Sequence, residues 1–380
     1  MSIWYSKSTV TASLGIGLIA VAAACGDKGG GPTSTNGPPQ GLAACGSSPF
    51  LTVPLVPAGN IFAVSPLGNL NPPPHTFPTD HIYLYMNPTS AIAAPGPSVV
   101  TTVVVQHRTG GGQPAVDDYE LTFFPCADVQ LQLAHVANLS ATLRTKVGAL
   151  DGTCNPSYQT GGFTYEQCYK SVTVSLAAGE IIGMSAASLD VFARDRRVTL
   201  SYVNPARLSD PDGAFGDKHV ACPIDYFVAS VADPMRAKLG PPGAVRTTPP
   251  VCGEVMQDVP NTAAGRWFRP GSPTYPEDPH LALAHDNLEP ATGAFSVGTS
   301  IPSLPAGVYK FAPASNGRVN LDFRFVNTVG ETECYEVTGN RRVLIQLVSV
   351  TRIRIEGFGS GVCGNPDTWT LGSGSAEFER

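Results

Sequence analysis

The chain has 380 residues, only 14% of them charged, with 40 glycines, 35 prolines and a formal charge of −6. That length allows two domains, each with its own core, and so much Gly and Pro with so little charge points to turn-rich, mostly β structure rather than a helix bundle. The mildly acidic balance, with no basic stripe, argues against nucleic acid as a partner and offers nothing to anionic lipids.

Residues 1–24 read as an export signal: Lys7 in a short leading region, an apolar stretch from Val10 to Val21, and small residues closing on Ala22-Ala-Ala-Cys25. The apolar run is too short for a permanent span. The pattern resembles the lipobox of bacterial lipoproteins, which makes Cys25 the expected lipid attachment site and the membrane a partner through that lipid. An ordinary secretory peptide followed by a chance cysteine would export the chain equally. Residues 25–44 are rich in Gly, Pro, Ser and Thr, the composition of a flexible tether.

Setting Cys25 aside leaves eight of the nine cysteines, an even number that in an exported chain predicts disulfides. Cys154 with Cys168, which bracket one loop, and Cys334 with Cys363 are the pairs expected. No Cys-x-x-Cys occurs, so the cysteines do not read as a zinc site.

Residues 45–240 form the first predicted domain. Residues 45–70, punctuated by proline and glycine, wrap a domain edge. In Asn71-Pro-Pro-Pro-His75-Thr-Phe-Pro-Thr-Asp80-His81-Ile-Tyr-Leu-Tyr85 the prolines enforce an extended lead into a strand from His81. His75, Asp80 and His81 are close enough in sequence for metal ligands, and equally for loop side chains bonded to backbone. Residues 99–107 form a β-branched strand buried on both faces, paired as a hairpin with 117–124. Along 129–136 a period of two puts Val129, Leu131, Leu133 and His135 on one face, aiming His135 at the core or a cleft beside it. Residues 171–176, the turn Gly179-Glu-Ile-Ile-Gly183 and 189–195 read as a small hairpin-built fold, 198–203 as a further strand, and 224–238 as a helix that Pro234 kinks or restarts. The acidic stretch 210–217 lacks a calcium loop's later glutamate and reads as a turn.

A Pro/Gly linker, 241–250, leads into the second predicted domain, 251–380. Short strands at even spacing, including 319–325, suggest a β-sandwich or closed barrel. His280 and His285 fall on opposite strand faces. Trp267 and Trp369 could stack on sugar rings if exposed, although aromatics in a sandwich are more often core. Ser303 shows no nucleophile elbow.

Three motifs between about 79 and 195 resemble the lysostaphin-like zinc endopeptidases that cut peptidoglycan peptides: Ala94-Pro-Gly-Pro-Ser-Val99 for the family's Ala-Pro-x-Asp-Gly-x-Val turn, Leu133-Ala-His135-Val for its Tyr-x-His-Leu strand, and Ala178-Gly-Glu-Ile-Ile-Gly183 for its Gly-x-x-Ile-Gly turn. The resemblance implies a barrel/sandwich-hybrid β domain. In that family a His-x-x-x-Asp motif and the second His of His-x-His hold zinc. Those motifs fall here on Thr79 to Tyr83 and on Ser188-Leu-Asp190, where no ligand position matches, and His135 matches the family's non-ligand catalytic histidine. The implied function is therefore an exported envelope protein with a degenerate peptidase-like domain that binds cell-wall material or an envelope protein, without zinc. Two alternatives stand beside it. One is a zinc endopeptidase with rearranged ligands, His75 or His81 with His135 and Asp190. The other is a carbohydrate-binding protein working through the second domain. On the plainer view His135 is a buried imidazole bonded to Tyr119 or a backbone carbonyl, and Asp190 a strand-edge carboxylate.

Overall fold

A computed structural model describes residues 37–208, 215–359 and 361–380. The export signal, Cys25 and the first part of the tether lie outside these residues, as does the stretch 209–214 with Asp210 and Asp212. The described chain is mostly β, built from one ten-stranded and two four-stranded antiparallel sheets.

The large sheet contains β1 (Ile61–Ser65), β2 (His81–Met86), β3 (Ala91–Ala93), β4 (Ser98–Gly110), β5 (Val116–Cys126), β6 (Val129–Leu139), β7 (Thr153–Cys154), β8 (Tyr158–Thr160), β9 (Phe163–Leu176) and β10 (Ile181–Asp195). Its main path runs β1-β2-β10-β6-β5-β4-β9-β7, with β3 on β10 and β8 on β9. The expected hairpin of β4 with β5 is present, and Val99 stands opposite Phe124.

Alternation sorts the side chains onto two faces. Leu84 pairs with Leu189, Ile82 with Val191, and Val191 and Ala193 with Leu133 and Leu131. This apolar face packs against Leu51, Leu55 and the helix α1 (Ala229–Arg236) to form the first core. Each fully buried Leu or Ile there contributes about 2 kcal/mol of transfer free energy. The opposite face carries His81 and Tyr83 of β2, Asp190 and Arg194 of β10, Gln130 and Gln132 of β6, Asp118 and Glu120 of β5, Gln106 of β4 and Gln167 of β9, and all of these are buried. A buried polar face is costly unless its groups bond one another.

Several local expectations change. The turn around Gly179 does not close a hairpin: β9 pairs with β4, whereas β10 lies between β2 and β6. The turn is held from outside, since Gly179 N–H donates to Ala94 O and Ala94 N–H to Glu180 O, both at 2.9 Å. A Cβ on Gly183 would stand 2.5 Å from Asn138 O, so glycine lets β10 approach β6. Residues 198–203 form no strand. Val198 closes a turn on Asp195, and Tyr202 is instead buried against Arg266. Residues 319–325 make single bridges and then a 3-10 turn, which Asp322 caps by accepting from Arg324 N–H. Pro234 sits inside α1, which follows a separate 3-10 turn at Pro223–Tyr226.

The second unit pairs a sheet of β11 (Gly265–Trp267), β12 (Leu281–His285), β13 (Gly293–Val297) and β14 (Gly307–Phe311) with one of β15 (Thr332–Val337), β16 (Arg341–Ser349), β17 (Arg352–Phe358) and β18 (Ala376–Glu379). Both sheets are open, so the sandwich-like alternative holds over the closed barrel. Residues from both sheets, among them Trp267, Phe295, Tyr335 and Ile355, share the second core. Val255 belongs to the first core and Ala263 to the second, so the chain crosses between them there.

Four disulfides join Cys45 to Cys126, Cys154 to Cys168, Cys222 to Cys252 and Cys334 to Cys363. The two expected pairs are among them. Four disulfides place the folded part in an oxidising, extracytoplasmic setting. Among the described residues no helix is long and apolar enough to cross a membrane.

Candidate functional site

His135 does not lie on the face that its spacing predicts. Leu121 stands opposite Leu133 and Tyr119 opposite Val136, so β6 carries one extra residue between these pairs. On the other side, Ala134 pairs with Asp190 and Val136 with Ser185, which leaves residues 186–189 of β10 opposite His135 alone. His135 adopts a φ of 64°, a region that costs a non-glycine residue about 1–3 kcal/mol and persists where the surroundings impose it. This bulge returns Val136 to the apolar face and turns the His135 imidazole onto the polar one.

There it meets Asp190 and His81. Asp190 projects from the central strand of three, opposite Tyr83 of β2 and Ala134 of β6. Its Oδ2 lies 3.4 Å from His81 Nε2 and 3.5 Å from His135 Nε2. Each ring's other nitrogen meets a carboxylate, His81 Nδ1 that of Asp80 at 2.9 Å and His135 Nδ1 that of Asp118 at 2.7 Å. A carboxylate only accepts, so both Nδ1 atoms carry hydrogen. In a neutral ring that leaves Nε2 with its lone pair, and His81 Nε2 is buried without a hydrogen bond.

The surrounding network is continuous. Arg194 donates to Asp80 at 2.6 Å and to Gln132 at 3.3 Å, Gln132 donates to Glu120 at 3.1 Å, and Gln167 donates to Glu120 and Gln106 at 3.4 Å. Asp190 is fully buried, His81 1% exposed and His135 6%. Burial pulls the His135 imidazolium down, but the carboxylates of Asp190 and Asp118 together outweigh it and raise its pKa to about 9.

The three residues named as a rearranged ligand set are thus brought together. His75 stands beside them, its ring centre 5.5 Å from that of His81. Zinc bound at about 2.0–2.1 Å separates tetrahedral donors by roughly 3.3 Å, close to the two separations from Asp190. Two imidazole nitrogens and one carboxylate oxygen, each imidazole backed by a carboxylate, are a donor set that zinc accepts. The fit is one of donor type and orientation. Among the described residues the one trio whose donor atoms all lie within 4.8 Å of one another is Cys154, Glu166 and Cys168, which is a disulfide beside a carboxylate. In the histidine site Asp190 stands between the rings, and the two Nε2 atoms must draw inward for one ion to touch all three groups.

Tyr119, the proposed plain partner of His135, instead accepts a hydrogen bond from Arg144 at 2.7 Å. Asp118 was not anticipated, nor was the orienting role of Asp80 or Arg194. The available signal was the pair of acids, Asp118 and Glu120, at a spacing of two in a strand otherwise built to be buried. Elsewhere, His280 is fully buried and His285 bonds Asp322 at 2.9 Å, in separate surroundings. Ser303 donates to Gly374 O and accepts from Gly357 N–H, a structural role. Trp267 is fully buried, its Nε1 donating to Ala263 O at 2.8 Å, and Trp369 packs among Cys334, Leu344 and Cys363. Neither indole offers a face to a sugar, which removes the feature that suggested carbohydrate stacking.

No family model, curated protein or solved structure matches the chain.

Proposed function

We propose that the first unit is a zinc-dependent peptidase-like hydrolase acting on peptides of the bacterial cell envelope, with His81, His135 and Asp190 as the metal ligands and the chain tethered to the membrane through lipid on Cys25. The observation that carries this reading is the approach of both Nε2 atoms to Asp190 Oδ2, with Asp80 and Asp118 fixing the opposite ring nitrogens. A zinc ion held there would supply a Lewis acid and an activated water for amide hydrolysis. The chain's own contribution is orientation. Asp80 and Asp118 hold the tautomers, Arg194 holds Asp80, and the bulge at His135 aims the second imidazole. The resemblance to lysostaphin-like enzymes supports a peptidoglycan peptide as substrate, and disulfide bonding supports the compartment.

A second reading, a binding domain without hydrolysis, is favoured by the depth of the site, since a catalytic zinc needs a position open to water and substrate. Zinc content of the purified mature chain, measured before and after chelator treatment, tests the first reading. The expected result is about one zinc per chain, lost in His81→Gln and Asp190→Asn, with release of peptides from peptidoglycan that the chelator abolishes. No zinc under metal-replete conditions would overturn it. Bound zinc with no peptide release would leave the binding reading in its place.

A further inference from the structure

We propose that the second unit acts as a clamp that holds the histidine site in its binding geometry, with Glu277 as a positioning residue. This rests on the metal-site reading for its consequence, though not for its geometry. Residues 71–80 carry His75 and Asp80 and run directly into His81. The segment has limited support of its own. Asn71 and His75 exchange backbone hydrogen bonds at 3.0 and 3.1 Å, and the three prolines between them have no N–H to donate. Thr79 N–H donates to Asn69 O at 3.1 Å, and Gly68 N–H to Thr79 O at 2.8 Å.

Arg194 of the first unit holds Asp80 at the far end of the segment, and further support comes from the second unit. Phe77 is 1% exposed, yet it belongs to a small cluster with Phe268 and Ala282 and not to the first core. Its ring centre lies 5.0 Å from that of Phe268 and 5.2 Å from that of His280, nearly parallel to the latter at 11°. The Arg266 guanidinium sits 5.1 Å from the same ring. Phe77 N–H donates to Glu277 Oε2 at 2.7 Å, an acceptor whose burial pushes the carboxyl pKa up to about 8.

Asp278, the next residue, grips a second point. It accepts from Gly161 N–H at 3.1 Å and from the Thr160 hydroxyl. That turn in turn packs on the 71–80 segment, since a Cβ on Gly161 would lie 3.2 Å from Pro74. Two consecutive acids of one loop therefore hold the segment directly and through the turn against which it rests. Tyr275, two residues earlier, donates to Asp217 at 3.0 Å and fastens the loop to the first unit once more. Asp80 and His81 lie three and four residues beyond Phe77, too near for the anchor to slip without moving them.

The test compares Glu277→Ala, which removes the acceptor, with Glu277→Gln, which keeps a carbonyl oxygen for Phe77 N–H. Amide exchange across 71–82 is followed in the metal-free mature chain, and zinc affinity is measured by chelator competition. The expected result is faster exchange in that segment for Glu277→Ala, with exchange in β16 and β17 unchanged, and zinc binding weakened about tenfold or more, the scale for losing an outer support of a metal ligand. Glu277→Gln should restore most of both. Unaltered exchange in Glu277→Ala would overturn the clamp whatever the metal result. Faster exchange in a protein that binds no zinc, wild type included, would uphold the clamp and sink the metal reading instead. If Glu277→Ala unfolds the second unit, seen as lost protection in β16 and β17, the comparison passes to Asp278→Ala against wild type, and wild-type exchange across 71–82 in that variant would overturn the proposal.

Discussion

His280 should make the junction between the two units sensitive to acid. Its Nδ1 accepts from Arg269 N–H at 3.0 Å, and its Nε2 faces the carbonyls of Pro273 at 2.9 Å and Thr274 at 3.1 Å. Those bonds require the neutral ring with hydrogen on Nε2, and a proton on Nδ1 would break the bond from Arg269. Burial is the main cause that holds its pKa down, to about 4, against the bonds to Pro273 and Thr274. A histidine depressed in the folded state charges first in the unfolded chain, so stability is full above about 6.5 and falls as the pH drops toward about 4. The two values correspond to a loss of about 2 kcal/mol by pH 5 and about 3 kcal/mol at the limit. Trp267 and Trp369 both report on the second unit, so urea unfolding of the mature chain followed by tryptophan fluorescence at pH 7.5 and pH 5 reads the effect. Wild type should lose about 2 kcal/mol more between these conditions than His280→Gln, whose side chain stays neutral. Equal losses in the two proteins would refute the assignment of the neutral, doubly bonded ring.

Three further outcomes follow from the same geometry. Asp118→Asn removes the carboxylate that orients His135, and zinc affinity measured by chelator competition should fall about 10- to 100-fold while the far-ultraviolet spectrum stays unchanged. Gly183→Ala places a methyl 2.5 Å from Asn138 O and 2.7 Å from Val136 Cγ1, so β6 and β10 must part beside the bulge. It should cost about 1–3 kcal/mol in a denaturation series, and wild-type stability would mean that the two strands do not approach so closely. Replacing both Cys222 and Cys252 by serine opens a bridge between residues 30 apart in sequence. The loss expected from chain entropy is about 3–4 kcal/mol, read as a lower urea midpoint.

The strands of the large sheet are legible because one side of it is apolar and a period of two survives in each segment. Leu131, Leu133, Leu189 and Val191 are recognisable as core from spacing alone. The disulfide of Cys154 with Cys168 is legible because it closes a short loop, whereas loop length does not separate the expected Cys334–Cys363 pair, 29 residues apart, from the missed Cys222–Cys252 pair, 30 apart, and Cys45 finds Cys126 only through the fold. The polar face is not legible in the same way. Glu120, Gln132 and Gln167 come from three strands, and what makes them one network is register, which no single segment encodes. His135 is the sharpest case. Its spacing from Leu133 predicts the core or a cleft beside it on that face, and only the mismatch between β6 and its two neighbours turns it over. A bulge belongs to a pair of strands, so it is invisible in either one.

The same reasoning explains why motif positions imply a lost metal site although the folded chain sets two imidazoles beside one carboxylate. Matching by position asks whether a particular residue retains the family's side chain, and Asp190 then counts as a loss because a carboxylate stands where an imidazole is expected. Metal binding asks only which atoms converge. Across three adjacent strands, residues on one face share a volume, so a carboxylate on the central strand and an imidazole on each side present the same atom types as a set in which the positions are exchanged. His81 reaches Asp190 because β2 pairs with β10, and His135 reaches it because the bulge turns the ring over. Asp80 and Asp118 give each imidazole a carboxylate behind it, the arrangement that orients a metal-ligating histidine and that equally satisfies a buried imidazolium. The decisive quantity is therefore zinc held by these three side chains, since position-by-position comparison cannot register an exchange of ligands between neighbouring strands.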